Sequence, residues 1–485
     1  MLLWEICMED KGLILGLLNK FNDADDKAIA FSIYDGNQLT DITYHQFLRD
    51  ILKTAGFFAE NQIHNQHIAL AAPNSYHWIV AFYGILASGN VAVLINPALP
   101  ADMIAEQCRQ ADVAVFCCES TASEERKAAA VGRKLLCLEC IGEASEISLE
   151  DVYNADADET IVLLGTSGTT GKSKIVEITS KNMQSSLNNT NYAANAKGLE
   201  RSLLIIPLFH IGGVISTSVV FHRLRTLCIG RGPINMLADM QALNPTFVPF
   251  VPAMMESVEK ILKRFTDAAD RAKYIGNKLQ RIHVAGAAPK HSTCLYMISQ
   301  GITIETGYGM TESSGSGTWG ELDEGNIGTI GKMYGDFQIR FQDGELLMKG
   351  DAIMKGYYKD PEETAKVIED GWLHTGDMGY CDENGYYYIT GRKKNVIILA
   401  NGENVNPEEI EARWGACAHI LECMVYSDGK GICADVYTDD QEAAVSYIKE
   451  YNSEMPMYRQ VYKVNYSGEP LEKTSTGKIK RKENR

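Results

Sequence analysis

Short apolar runs alternate with segments of helical period through the first part of the chain. HIALAAP is followed by a helix predicted over Tyr76–Ala87, a buried strand over Val91–Ile95, a helix over Ala101–Gln110 and the run VAVFCC. Strand, helix and strand at this spacing predict a parallel sheet covered on both faces. The rhythm returns with LLIIPL, TLCIG, TFVPFVP, a charged helix over Ala253–Arg264, IHVAGA and ITIETGYG, and no repeat period is visible. After about residue 335 the pattern changes to short antiparallel strands, FQIRFQDGELLMKG and GYCDENGYYYITG, whose Asp-Gly and Asn-Gly pairs are hairpin signals. From about Lys394 a last segment has its own helix, Pro407–Trp414, a hairpin around Ser427-Asp428-Gly429 and a basic tail, KTSTGKIKRKENR. The chain is therefore read as α/β. A large N-terminal domain, residues 1–393, has mixed and parallel sheets flanked by helices plus a β-rich subdomain. A small α+β C-terminal domain, residues 394–485, follows on a hinge one residue wide.

Composition bounds this picture. A chain of 485 residues exceeds one ordinary core, which fits two to four units or one compound domain with an appendage. Being 45% apolar and 22% charged, it is globular in composition. Its 46 basic against 63 acidic residues give a net charge of −17, which argues against coating nucleic acid or an anionic membrane. The N-terminus has acidic residues from its fifth position and no basic leader, so no signal peptide is expected. The uncharged stretch from Ala71 to Ala101 is interrupted by Pro73, Ser88-Gly89-Asn90 and Pro97, so no integral membrane segment is expected and the cytoplasm is the expected compartment. Twelve cysteines raise the question of metal. Cys137-Leu138-Glu139-Cys140 is preceded by Cys117-Cys118, a pair without the second CxxC spacing, and no histidine lies nearby. These cysteines read as small buried apolar residues in a reducing compartment.

The sharpest chemical feature is TIVLLGTSGTTGKSKIVEITSKNM. An apolar strand feeds a loop made of Thr166, Ser167, Gly168, Thr169, Thr170, Gly171, Lys172, Ser173 and Lys174, and a second strand follows before the next helix. Glycines let the backbone approach an anion, hydroxyls and amides meet phosphate oxygens, and Lys172 or Lys174 supplies charge. The P-loop of nucleotide triphosphatases is excluded, because five residues before Gly171 stands Thr166 and the loop opens a strand. A kinase glycine loop is excluded because no HRD or DFG follows. Gly315-Ser316-Gly317-Thr318-Trp319-Gly320 fits GxGxxG, but neither the preceding strand nor the following helix of a dinucleotide site is expected there.

TSGTTGKSK resembles the phosphate loop of the adenylate-forming superfamily, which includes acyl- and aryl-CoA synthetases, adenylation domains of peptide synthetases and firefly luciferase. Further motifs follow in the family's order. Tyr308-Gly309-Met310-Thr311-Glu312 resembles the second core motif, in which the resemblance implies that Thr311 contacts phosphate and Glu312 helps hold Mg²⁺. A hard cation beside a triphosphate needs only one or two carboxylates. Asp377 in WLHTGDMGY matches the aspartate that accepts hydrogen bonds from both ribose hydroxyls, and Arg392 matches an arginine that also touches the ribose. Lys394 stands at the family's hinge position, and Lys478, after a Ser-Thr-Gly turn, matches the lysine that reaches the α-phosphate and the acyl carboxylate. The other charges of that tail read as solvated. His210, in PLFHIGG, falls where an aromatic or histidine lines the carboxylate end of the pocket; amino-acid-activating relatives commonly carry an aspartate there. Gly286-Ala287-Ala288-Pro289 resembles the loop between pocket and adenine, and Gly402, in ANGENVNPEE, the loop that forms the pantetheine tunnel. Together with GDAIMKGYYKDPEET, that wording is most similar to bacterial fatty acyl-CoA ligases. In one departure, the segment between Glu411 and Lys478 is shorter than usual, pointing to a trimmed small domain; in another, Lys174 is followed by Ile175 where the family pairs lysine with glycine.

The resemblance implies an ATP-dependent acid–thiol ligase using ATP, Mg²⁺ and CoA. It would adenylate a small-molecule carboxylic acid, release pyrophosphate, then pass the acyl group to CoA and release AMP. Motif wording favours a fatty acid, with aryl and short branched acids open. Two alternatives stand beside it: an adenylation protein loading a carrier protein's phosphopantetheine, and a non-catalytic sensor of acyl groups or adenylates. A sensor would be free to lose Lys478, Glu312 or Asp377, and all three are kept.

Overall fold

The structure, a computed structural model, describes residues 12–123, 126, 132–141, 144–166, 174–193, 200–286, 288–399, 403–473 and 479–482. The chain forms two compact units, Met1–Gln338 with Met348–Leu373, and Ile339–Leu347 with His374–Arg485.

The first unit holds two large sheets. One has seven strands in the order Gly356–Tyr357, Ile175–Thr179, Thr160–Gly165, Val91–Leu94, His67–Leu70, Val113–Cys118 and Lys134–Cys137. Its centre is parallel, and the strands on either side of the Thr166–Lys174 loop are antiparallel. The other has nine strands and a parallel centre formed by Thr303–Gly309, Arg281–Val284, Phe247–Phe250, Arg201–Leu204, Thr226–Ile229 and Ile29–Tyr34.

Strand alternation places successive side chains on opposite faces. Ile68, Leu70, Ala92 and Leu94 therefore join one core, while Ala69, Ala71, Val91 and Val93 join another. The nine-stranded sheet behaves likewise, with Leu204, Leu227 and Ile229 in the first core and Leu203, Ile205 and Cys228 in a third. The core that both sheets share is filled by the helices Leu13–Asn22, Tyr44–Glu60, Tyr76–Ala87 and Ile211–His222. Sheets covered on both faces are the condition for nearly continuous apolar strands. The Tyr76–Ala87 helix is apolar and buried on every side from Trp78 onward, with His77 exposed in its first turn, and the Ser75 hydroxyl caps it by accepting from the Trp78 amide at 3.1 Å.

The predicted helices Tyr76–Ala87, Ala101–Gln110 and Pro407–Trp414 are found with those bounds. The charged helix starts at Pro252, one residue earlier than expected, because proline is well suited to a first turn that needs no amide donor. The predicted strand ends at Leu94, although the Ile95 amide still donates to Leu70 O at 3.1 Å. Gly317–Leu322 is a strand, not the start of a helix, which disposes of the dinucleotide motif. Cys117 and Cys118 are buried in the strand next to the sheet's edge, and burial pushes the Cys117 thiol up. Cys137, expected to be buried, is half-buried with its thiol donating to Glu139 Oε2 at 2.9 Å. No group of three or more potential metal ligands occurs among the described residues. No helix among them is long and apolar enough to cross a membrane.

A five-stranded sheet has the order Gln338–Gln342, Glu345–Lys349, Trp372–Cys381 and Ile368–Glu369, with Tyr387–Arg392 paired to Trp372–Cys381. The second unit ends in a three-stranded sheet, Ile420–Ser427, Ile432–Thr438 and Val461–Ser467, with the helices Pro407–Trp414 and Gln441–Glu454. Its separate core is built on Trp414, Ile410, Val425 and Val436. The described charges of the tail are exposed, as expected, yet each is paired with an acid. Arg481 makes a two-pronged contact with Glu411 at 3.0 and 2.5 Å, Lys482 meets Asp435 at 2.5 Å, and Lys480 pairs with Glu472. Planar guanidinium and carboxylate groups match in this way, and helix Pro407–Trp414 and strand Ile432–Thr438 supply Glu411 and Asp435, acids distant in sequence from the tail.

Candidate active site

Thr166 and Lys174 close the base of the hydroxyl- and glycine-rich loop. The Thr166 amide donates to Lys174 O at 2.9 Å, continuing the antiparallel ladder of the flanking strands. Ser167, Gly168, Thr169, Thr170, Gly171 and Lys172 lie outside the described residues, as do Ala287, Gly402 and Lys478.

Three distant segments meet at that base. The Lys174 ammonium lies 2.6 Å from a Glu363 oxygen and 4.7 Å from the centre of the Tyr357 ring. The Tyr357 hydroxyl donates to Glu312 Oε1 at 3.0 Å. Burial, the Glu312 charge and this hydrogen bond all push the Tyr357 phenol far up, so it stays a donor. Lys174 and then Lys366 hold the Glu363 carboxyl down at about 2. Of the predicted site residues, Thr166, Lys174 and Glu312 are thus brought together. Tyr357 and Glu363 were not singled out in the sequence, although both lie in GYYKDPEET.

Glu312 sits with Thr311 in a short 3-10 turn, Thr311–Ser313, just beyond the strand that carries Tyr308 and Gly309. The turn is braced from helix Ser180–Ala193. Ser186 Oγ donates to Ser314 O at 2.7 Å, and Asn182 Nδ2 donates to Ile353 O at 2.7 Å. Gly309 is required by close approach, since a Cβ there would lie 2.6 Å from Gly315 O. The same turn approaches the predicted acid end: a Cβ on Gly315 would lie 3.6 Å from Gly212 Cα. His210 caps helix Ile211–His222 with extended backbone, is exposed, and its ring centre is 4.5 Å from that of Phe209. Gly286 and Ala288 are exposed beyond strand Arg281–Val284. Gly286 has φ of +87°, so backbone conformation, not crowding, calls for glycine there.

In the second unit, Asp377 and Arg392 are opposite one another on paired strands. Arg392 Nε lies 2.6 Å from Asp377 Oδ1, with the aspartate side chain 5% exposed and the arginine 43%. Lys393 is tied to Glu345 at 2.8 Å, whereas the next residue, Lys394, is exposed. Desolvation by the surrounding protein atoms and then the Arg392 charge lower the Lys394 ammonium, even though the residue is exposed.

Glu312 offers one carboxylate with an oxygen already held by a tyrosine. Such a donor fits Mg²⁺, which keeps several waters and takes phosphate oxygens in preference to an all-protein cage.

The chain belongs to the AMP-binding enzyme family, whose model matches residues 21–358. It is 27% identical to a long-chain-fatty-acid–CoA ligase of Bacillus subtilis, over 91% of this chain and 89% of that one. It is 30% identical to a 2-succinylbenzoate–CoA ligase of Oceanobacillus iheyensis, over 80% of each. Among solved structures, the O-succinylbenzoate coenzyme A synthetase (MenE) of Bacillus subtilis in complex with AMP matches with a TM-score of 0.81 at 21% identity, covering 96% of both chains. This last likeness is one of fold.

Proposed function

We propose that the protein is a cytoplasmic, AMP-forming acid–thiol ligase that activates a carboxylic acid with MgATP and transfers the acyl group to CoA. The observation that carries the reading is the meeting of Lys174, at the end of the hydroxyl-rich loop, with Glu312 through Tyr357, within a chain of the AMP-binding family. Both relatives named above are CoA ligases, which supports CoA as acceptor over a carrier protein.

In the first half-reaction the acid's carboxylate attacks the α-phosphorus of ATP, forming an acyl-adenylate and releasing pyrophosphate. Catalysis of this kind is largely positioning and charge neutralisation. In our reading, amides, hydroxyls and lysines of the Thr166–Lys174 loop hold phosphate oxygens together with Thr311, and Lys478 neutralises the α-phosphate. Bound at Glu312, Mg²⁺ would supply charge neutralisation on the phosphates. Tyr308, Gly309, Gly286, Ala287 and Ala288 border the base, and Asp377 with Arg392 receives the ribose diol. His210 faces the acid's carboxylate. In the second half-reaction the C-terminal domain, residues 394–485, turns about Lys394, replacing Lys478 by the Gly402 loop, and a thiolate attacks the acyl carbon with AMP leaving.

The acid is proposed to be a fatty acid, on motif wording and on the name of one relative, the other being named for an aromatic acid. A pyrophosphate-release assay with MgATP across fatty, aryl and short branched acids, followed by comparison of CoA with a holo-carrier protein, tests the reading. Release with at least one acid and transfer to CoA is the expected result. No release from any acid would leave the non-catalytic sensor as the better account.

A further inference from the structure

Segment Gly356–Thr364 contacts the loop and the Glu312 turn at once. Its short strand pairs with the strand leaving the loop, Tyr357 opposite Val176, and the Tyr358 amide donates to Ile175 O at 2.7 Å. Just before it, the Met354 amide donates to Glu312 O at 2.9 Å. The Tyr357 amide donates to Thr364 Oγ1 at 2.8 Å, closing the segment on itself. Tyr357 is 7% exposed, so its ring has little freedom once these backbone contacts are made.

We propose that Tyr357 is a positioning residue for the cation site: its hydroxyl orients the Glu312 carboxylate, and the Lys174–Glu363 pair against its ring locks the tyrosine in place. This rests on the reading of Glu312 as the carboxylate that holds Mg²⁺. The Glu312 carboxylate, carried on a short turn, can rotate about three side-chain bonds. A donor on one oxygen restricts that rotation and leaves the second oxygen to be offered to a cation. The donor is itself restricted, because an ammonium over the ring face is attracted to it and is here paired with Glu363. The loop's last lysine and the cation carboxylate are thereby set by one short segment, so occupancy of the loop by phosphate and occupancy of Glu312 by a cation are coupled.

The test uses the full chain with ATP and no acid, so that no turnover occurs, and Mn²⁺ as a paramagnetic stand-in read by electron paramagnetic resonance. Outer groups that orient a metal ligand commonly change affinity by ten-fold or more, so Tyr357→Phe is expected to bind Mn²⁺ in the ATP complex about ten-fold more weakly. Its affinity for ATP in EDTA is expected to match the wild type, and its melting temperature to fall only modestly from loss of the one hydrogen bond. Glu363→Gln, at a partly exposed position, is expected to shift Mn²⁺ affinity in the same direction by less, and decides the matter if Tyr357→Phe fails to fold. Unchanged Mn²⁺ affinity in the folded variants overturns the proposal, as does equal weakening of ATP binding in EDTA, which would mark a merely structural tyrosine. Glu312→Gln serves as reference: if it too leaves Mn²⁺ affinity unchanged, the assignment of Glu312 fails, and that is separable from failure of the tyrosine's role.

Discussion

Asp377 illustrates what a single residue can and cannot announce. WLHTGDMGY marks it as a site residue by resemblance, but its burial and its partner come from the strand pairing that sets it opposite Arg392. A hydrogen bond to a charged group contributes about 1.5–3 kcal/mol, and roughly 1.4 kcal/mol is a factor of ten in affinity. Asp377→Asn is therefore expected to weaken ATP binding about ten-fold or more, measured by titration calorimetry without acid, with acid KM at saturating ATP little changed. An affinity equal to wild type would remove Asp377 from the ribose site. The sequence named Glu312 and Lys174 separately; nothing in their neighbours showed that Tyr357 would stand between them.

At the scale of the element, helix Ile211–His222 sets His210 at its N-terminus through a turn that two glycines treat differently. A Cβ on Gly213 would lie 2.4 Å from Pro207 O, whereas one on Gly212 would meet nothing within 4 Å. Overpacking against fixed backbone costs about 1–3 kcal/mol. Gly213→Ala is expected to lower unfolding stability by about that much in urea titration, since the first turn must move. Gly212→Ala is expected to keep wild-type stability and to raise KM for the acid, because the open space beside it is where the carboxylate is proposed to enter. A destabilised Gly212→Ala with unchanged acid KM would contradict the placement. Periodicity located other helices well, with Tyr76–Ala87 and Ala101–Gln110 found as expected, because apolar spacing is a local property. It did not locate the brace from Ser186 to the Glu312 turn, since a serine on a polar helix carries no mark of its distant partner.

At the scale of the whole molecule, charge and protonation are shared. Burial, followed by the Lys20 and Arg223 charges, lowers His222 to about 4, and burial lowers His283 to about 4, from an ordinary 6.5. The folded chain thus keeps both rings neutral where the unfolded chain binds protons. Their contribution to stability is complete above pH 6.5 and is lost as pH falls toward 4. Melting temperature is expected to fall through that window, and His222→Gln is expected to flatten part of the slope; a parallel curve would show that His222 does not contribute. Lys478→Ala tests the proposed turning of the C-terminal domain. Pyrophosphate release is expected to be largely lost, while thioester formation from supplied acyl-adenylate persists, and equal loss of both would refute a two-conformation cycle. The net charge of −17 is compatible with polyanionic substrates because a few local cations meet them, and several tail cations are already committed to acids of their own unit.

The sequence by itself determined the α/β class, the alternation of many of the strands and helices, the family motifs and the residue types able to hold a nucleotide, all of them properties of short windows of chain. Helices such as Tyr44–Glu60 emerged only with the fold. Only the tertiary structure decided which of these residues meet. Strand Gly356–Tyr357 joins the edge of a sheet whose other members come from the first 180 residues, and this brings Tyr357 and Glu363 to Lys174 and Glu312. Such pairings are set by the packing of both sheets around one shared helical core, which no local periodicity encodes.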